Sequence, residues 1–203
     1  MENIKFSVFD IFAYLLPGSI VLLAMFLFLT QNVVDVSLYL EMAKNISLGL
    51  GIILVMVAYI IGNAVDNFGS WLYYKIGCKI WGEPYPKEQH PTLSHAQQRA
   101  LIREQSPENF VFIHTWKVLK TMSHNLSFGM LLVAIVSFIR YAQHQDTVWI
   151  TMTIASTILA IVFLKRASVY DKWHYKELLE TVEVLQLEKR VSLMSSEKRK
   201  SGK

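Results

Sequence analysis

Residues 46–65 carry the feature that most limits how this chain can fold, a long apolar run without a charged residue. Its first sixteen residues, 46–61, are dominated by Leu, Ile, Val, Ala and Gly, and polar side chains return at Asn63 and Asp66. At 1.5 Å per residue, about 20 such residues match a hydrocarbon core of about 30 Å. The run therefore predicts a membrane-spanning helix whose polar end lies at the interface.

Three further runs have the same character, at residues 11–30, 123–141 and 148–164. Charged residues make up 18% of the chain, below the roughly 25% that is usual in soluble domains. A hydrophilic turn at 143–147 joins the last two runs. We therefore predict an all-α polytopic membrane protein with four transmembrane helices, arranged as hairpins over residues 1–66 and 123–165. Pro17-Gly18 predicts a kink in the first helix.

The segment 67–122 is predicted to be cytoplasmic or interfacial and helical. Trp, Tyr and Lys are frequent in residues 68–81, a composition typical of the membrane interface. Three prolines predict a loop at 82–92, and Ser94 is a suitable cap for a helix to about Glu104. Ser106 and Pro107 favour a new helix start that leads into the third span. After the fourth span we predict a cytoplasmic helix over 166–191 and a disordered basic tail over 192–203.

The distribution of basic residues predicts the orientation. Of the 20 Lys and Arg residues, eighteen lie in the N-terminus, the central segment and the C-terminal region, and only Lys44 and Arg140 lie on the other side. Lys and Arg are enriched in cytoplasmic loops. Both termini are therefore predicted to be cytoplasmic. We also expect no cleavable signal peptide, because residues 1–10 have mixed charge and no small-residue cleavage site follows.

An apolar stripe follows the fourth span, where Tyr175, Leu178, Val182 and Leu185 recur at helical spacing. Such a stripe is too apolar to face water over three turns. We expect it to pack on a neighbouring copy of the chain, on the helices of residues 94–116, or on an effector protein.

Small residues in the second span predict self-association. Gly49, Gly51, Ala58 and Gly62 lie on this span, and small side chains let membrane helices approach closely. We expect a homo-oligomer, for which a tetramer is one arrangement, with the second span at or near the interface.

Two carboxylates lie at the ends of spans. Asp66 has two interpretations, simple interfacial polarity or contact with an ion or a second subunit, and the first is favoured because Asp66 lies a turn beyond the apolar run. Asp10 either caps the first helix, the favoured interpretation, or pairs with a basic residue at a subunit interface.

No pattern in the sequence predicts catalysis, a cofactor or a metal site. The six histidines lack the close spacing with acidic residues that a zinc helix needs, and no phosphate loop or nucleophile elbow occurs. The single cysteine, Cys78, excludes an intramolecular disulfide. The basic tail is short and lacks interleaved aromatic residues, so we expect contact with lipid or water and no direct binding of nucleic acid.

Two sequence motifs, FDIFAYLLPG at residues 9–18 and IIGNAVD at residues 60–66, accompany the four-span layout. With a length of about two hundred residues, this pattern resembles the membrane subunits of the two-component Kiwa anti-phage defence systems. The resemblance implies a homo-oligomeric sensor of phage attack in the bacterial inner membrane. It also implies a scaffold that recruits a cytoplasmic DNA-binding effector and has no catalytic residues.

The alternative function is an oligomeric ion channel or a small transporter. Transporters usually have internal repeats, paired broken helices and ionisable residues within the membrane. Here only the first span has a Pro-Gly pair, and no span has a charge near its middle. The hydroxyl residues of the last two spans, such as Ser137 and Thr151, offer only mild polarity for a pore. The sequence therefore favours a sensor or scaffold.

Overall fold

A computed structural model of the chain describes residues 8–30, 44, 46–84 and 93–187, and this part of the chain forms helices and no strands. The all-α prediction is thus confirmed. The proposed tail at 192–203, the side chain of Asp10 and most of the 82–92 loop lie outside the described residues. The helices are α1 (Val8–Leu29), α2 (Leu48–Leu72), α3 (Cys78–Trp81), α4 (His95–Gln105), α5 (Pro107–His144) and α6 (Thr147–Val184), with a π-helical segment, Tyr73–Gly77, between α2 and α3.

Within the described residues, four helical stretches are long and apolar enough to cross a membrane, as expected for a multi-pass membrane protein. Two of them, α5 and α6, have 38 residues each, so each is about 57 Å long. A hydrocarbon core of about 30 Å accommodates only about half of that length. We call the parts at 11–29, 48–65, 123–139 and 148–164 the spans. The helical parts beyond one end of the bundle, at 66–84, 93–122 and 165–187, form the extension.

Local sequence signals explain where the helices begin. Ser94 and Gln97 form a reciprocal capping box at the start of α4, as the sequence predicted for Ser94. Pro107 occupies the first turn of α5, although the Ser106 side chain makes no capping bond. The Asp146 carboxylate accepts a hydrogen bond from the Val148 amide and caps α6. The predicted tight turn between the third and fourth spans is therefore present.

Helix α5 lies at the centre of the bundle and packs against α1, α2 and α6. In its most apolar stretch 56% of the residues are buried inside the chain, against 17% for α2 and 22% for α6. The outer helices consequently present apolar faces to their surroundings, as lipid-facing helices do. Helix α1 continues through Pro17 as one helical element.

Helices α1 and α2 touch at their backbones. A Cβ atom on Gly18 would overlap the Ala58 carbonyl, and one on Gly62 would overlap the Tyr14 carbonyl. The rings of Tyr14 and Tyr59 also meet edge to face, with centroids 5.9 Å apart. The small residues of the second span are therefore explained at this position by packing within one chain.

The apolar stripe of α6 packs on the chain's own helices. Leu178 and Val182 form a core with Leu93, Ile102 and Ile113, and Tyr175 and Leu185 pack against it. Of the three predicted partners for the stripe, the structure places it on α4 and α5.

Helix α6 ends at Val184, and residues 188–191 of the helix predicted over 166–191 lie outside the described residues. Gln186 has a left-handed backbone with φ of 49°, and the chain turns so that Leu187 is buried in the same core. Burying a leucine side chain contributes about 1.5–3 kcal/mol. This is more than the helix propensity of the few residues after Val184 would contribute if the helix simply continued.

Candidate functional site

A largely buried ion pair lies just beyond the spans and contains Asp171, the most buried carboxylate of the described residues. Lys120 Nζ of α5 lies 2.9 Å from Asp171 Oδ1 of α6, and their side chains are only 12% and 1% exposed. The second carboxylate oxygen, Asp171 Oδ2, accepts a hydrogen bond of 2.9 Å from the Tyr73 hydroxyl. Both oxygens of Asp171 are therefore occupied by partners on two other helical segments.

The same ammonium group also contacts two aromatic rings. Lys120 Nζ donates a hydrogen bond of 3.0 Å to the Tyr74 hydroxyl. It lies 5.1 Å from the centroid of the Tyr73 ring and 4.9 Å from that of Tyr74, within the range of cation–π attraction. We call Tyr73, Tyr74, Lys120 and Asp171 the charged cluster.

A change in helix geometry accompanies the two tyrosines. The π-helical segment begins at Tyr73, whose amide donates to the carbonyls of both Gly69 and Ser70. A π turn holds one residue more than an α turn, and such turns are frequent at functional sites. Here the π-helical segment lies where two consecutive tyrosines, Tyr73 and Tyr74, both contact Lys120.

Burial and neighbouring charges set the protonation of the charged cluster, which lies outside the spans. Burial alone would lower the pKa of Lys120, but the Asp171 carboxylate and the Tyr74 hydroxyl outweigh it and raise this pKa above its ordinary value. Burial, with Asp171 next, raises the pKa of Tyr73 far above its ordinary value. Lys120 is therefore a cation at neutral pH, and Tyr73 is a neutral hydrogen-bond donor.

A second polar group lies between α2 and α5 at the end of the spans. Asn125 Nδ2 donates a hydrogen bond of 3.0 Å to Asp66 Oδ1, and Asn125 Oδ1 lies 2.9 Å from His124 Nδ1. The rings of His124 and Tyr73 are stacked with centroids 6.3 Å apart, which places this group beside the charged cluster. Asp66, predicted as interfacial or subunit-contacting, thus has a partner within its own chain.

The charged cluster can hold helices together, but it is not arranged for acid–base chemistry. A general base needs an oxygen or nitrogen within reach of a substrate proton, and both Asp171 oxygens already accept bonds from the chain itself. Across residues 8–30, 44, 46–84 and 93–187, no group of three His, Cys, Asp or Glu residues is placed to hold a metal ion.

Several hydroxyl groups in the spans bond to backbone carbonyls, whereas the buried Ser137 Oγ has no hydrogen-bond partner among the described residues. Thr151, Thr153 and Thr157 each donate to the carbonyl four residues earlier in α6. Ser127 of α5 donates to the Ala160 carbonyl of α6 at 2.8 Å. These hydroxyls therefore satisfy their hydrogen bonds within the protein, as the membrane interior requires.

At the opposite end of the bundle, Arg140 binds the carboxyl end of α1. Its guanidinium donates to the carbonyls of Leu27 at 3.3 Å and Phe28 at 2.6 Å, and also to that of Thr30. The last carbonyls of a helix have no partners within the helix and carry partial negative charge, so a cation is favourable there. From the sequence alone, Arg140 was counted only as a basic residue on the side opposite the termini, and its contact with α1 was not predicted.

The remaining predicted contact residues have mixed placements. Gly49 faces open space, with no atom within 4 Å of an added Cβ. Ala58 and Gly62 contact α1, and the four stripe residues lie in the extension's own core. Sequence reasoning missed the charged cluster. One usable signal was that Lys120 lies 24 residues before His144, the last residue of α5, and Asp171 lies 24 residues after Thr147, the first residue of α6. Equal distances from the turn place both residues at one height on antiparallel helices.

Comparisons of this chain with protein-family models, with curated proteins and with solved structures found no match.

Proposed function

We propose that this protein is a membrane-anchored sensor or scaffold that connects its membrane-spanning bundle to the helical extension. The observation that carries the proposal is the charged cluster. It joins the π-helical segment after α2, which belongs to the first hairpin, to α5 and α6, which belong to the second. A change in how the two hairpins pack therefore has a direct route to the extension.

The placement of polar groups supports this function over a channel or transporter. The threonine hydroxyls of the fourth span donate to backbone carbonyls of their own helix. The buried charges lie at the two ends of the bundle, at Arg140 and at the charged cluster. Ion pathways instead use ionisable groups or polar stripes along the spans.

The resemblance to Kiwa membrane subunits extends the proposal to anti-phage defence. The protein then lies in the bacterial inner membrane as a homo-oligomer, with both termini and the extension in the cytoplasm. There the extension recruits a DNA-binding effector protein. Because the α6 stripe is buried in the chain's own core, the effector contacts the exposed side chains of the extension.

A phage-challenge assay tests this function. The gene is expressed from its native locus, together with its neighbouring genes, in bacteria challenged with a panel of phages. We expect protection by the wild type and loss of protection in Asp171→Asn, with both proteins inserted in the membrane in equal amounts. The wild type should also co-purify with a DNA-binding protein. Equal phage titres with and without the gene, and no DNA-binding partner after cross-linking, would contradict the proposal.

A further inference from the structure

A pocket of about 310 Å³ lies in the extension where α4 meets α5 and α6. Its basic lining comes from all three helices, with Arg99 and Arg103 on α4, His114 and Lys117 on α5, and His174 on α6. Its volume is at the lower end of the range of small-molecule sites, which is about 300–1,000 Å³. Phe110 and Ile113 give the pocket an apolar wall that it shares with the apolar core of the extension, whereas no residue of the charged cluster lines it.

The pocket has positive charges without matching negative ones. Its lining includes two arginines and one lysine and no carboxylate. Arg99, Arg103 and Lys117 form no ion pair with any carboxylate of the described residues. A second pocket on the other side of α6 shows the contrast. Its lining has both signs, and its Lys176 lies 3.7 Å from Glu180.

Bringing three cations together has a cost that an anion removes. Burial, and then the charges of Arg99 and Lys120, lowers the pKa of Lys117, which lies outside the spans. Arginine presents planar forks of N–H donors that match the oxygens of phosphate, and lysine adds a point charge. A phosphate monoester carries up to two negative charges, more than a single carboxylate, and so matches this lining better.

We propose that this pocket binds a phosphate group, carried either by a soluble phosphorylated molecule or by a phospholipid. Arg99 and Arg103 hold it from α4, and Lys117 holds it from α5. A bound phosphate thus connects α4 to the long helix that enters the membrane. This inference goes beyond the proposed sensor role and does not depend on it.

Both sources of phosphate can reach the pocket. Lys117 precedes the third span by six residues, so it lies about 9 Å beyond the end of the span along α5. The headgroup layer extends about 5–8 Å beyond the hydrocarbon core on each side. The pocket is therefore at the outer edge of the headgroups, where it is open to lipid phosphates and to solutes.

The test uses the full-length protein in phosphatidylcholine nanodiscs, with radiolabelled inorganic pyrophosphate as the probe in equilibrium dialysis. We expect saturable binding of one pyrophosphate per chain, weakened at least about tenfold in Arg99→Gln/Lys117→Gln. The control Lys75→Gln/Lys79→Gln removes the same number of positive charges, from exposed positions outside the pocket, and should bind within about twofold of the wild type. The charge-preserving variant Arg99→Lys/Lys117→Arg should retain binding, and all variants should elute alike in gel filtration.

A second arm distinguishes the two sources. One third of the phosphatidylcholine is replaced by phosphatidic acid, and the lipid retained after detergent extraction is counted. A soluble ligand site binds pyrophosphate in both membranes. If the pocket binds lipid, phosphatidic acid displaces pyrophosphate in the second membrane. The wild type then retains more phosphatidic acid than Arg99→Gln/Lys117→Gln. Equal pyrophosphate binding and equal lipid retention in these two proteins would overturn the proposal.

Discussion

Lys120 and Asp171 are 51 positions apart in the chain, yet their side chains meet at 2.9 Å in a site that excludes most solvent. Charges in such a site depend on each other, because removing one leaves the other buried without a partner. This dependence makes the pair the most informative position at which to perturb the link between the spans and the extension.

Lys120→Met should destabilise the protein by about 3–5 kcal/mol, because the Asp171 carboxylate is left buried and unpaired. Unfolding by increasing SDS, followed by circular dichroism, measures the effect. The double variant Lys120→Met/Asp171→Leu should recover most of the loss, since an apolar pair of similar size carries no unpaired charge. The exposed Lys75→Met should change stability by less than about 0.5 kcal/mol. A Lys120→Met protein as stable as the wild type would show that the pair contributes nothing.

Leu178→Ala should destabilise the extension by about 2–5 kcal/mol, because Leu178 is 1% exposed in the core shared with α4. Val184→Ala on the same helix should have almost no effect, because Val184 is 80% exposed. Limited proteolysis of the membrane-inserted protein tests this difference, with faster cleavage around α4 expected only in Leu178→Ala. Equal protection of α4 in both variants would contradict the packing of α6 on α4.

Gly62→Leu should separate α1 from α2, because its Cβ already overlaps the Tyr14 carbonyl. We expect a loss of about 3 kcal/mol or more in the same SDS titration, at the upper end for overpacking. Gly49→Leu should be tolerated, since this position has open space around it. The opposite result is expected if the second span packs on another copy through Gly49. Gel filtration would then show a smaller assembly for Gly49→Leu and an assembly of wild-type size for Gly62→Leu.

Stability should fall as the pH drops below about 6.5, partly because of His174, which lies outside the spans. Burial lowers the pKa of this imidazole in the folded protein, and the smaller opposing effects of the Ile113 carbonyl and Asp171 do not cancel it. An unfolded histidine has a pKa of about 6.5, so below that pH the unfolded state takes up the proton first and gains stability. Above it, both states are neutral and His174 adds no pH dependence.

Thermal unfolding in detergent at pH 7.5 and pH 5.5 measures this effect. His174→Gln should show a smaller drop in melting temperature between the two pH values than the wild type. An identical drop in both proteins would remove His174 from the account of acid sensitivity.

Eighteen Lys and Arg residues lie on the side of the termini and the extension, and two lie on the other side. This distribution predicts that the extension is cytoplasmic. A reporter that is active only outside the cytoplasm should be active when fused after Gln143 and silent when fused after Pro86. Activity at both positions, or the reverse pattern, would refute this orientation.

The features that could be predicted from the sequence are those set by neighbouring residues. Charge-free runs identified the four spans, the Ser94 and Gln97 spacing fits the observed cap of α4, and Pro107 marked the start of α5. Such features need only the periodicity and chemistry of one segment.

The features that were missed depend on how distant segments align. The meeting of Lys120 with Asp171 requires the register of two antiparallel helices, and the π-helical segment at Tyr73 has no simple composition signal. The end of α6 at Val184 accompanies the burial of Leu187 in a core built partly by α4, and local helix propensity does not encode that contact. The contact of Ala58 and Gly62 with α1 of the same chain likewise depends on how two segments align, while the predicted contact with a second copy stays a prediction.

Arg140 and Lys120 lie on the same helix, α5, and twenty residues separate them. At 1.5 Å per residue their Cα atoms are about 30 Å apart along the axis, which equals the thickness of a typical hydrocarbon core. Arg140 is bound to the end of α1 and Lys120 to α6, so α5 cannot slide along the membrane normal without moving a bound charge toward the lipid tails. A membrane thinner or thicker than this spacing would therefore place its hydrophobic mismatch on these two contacts.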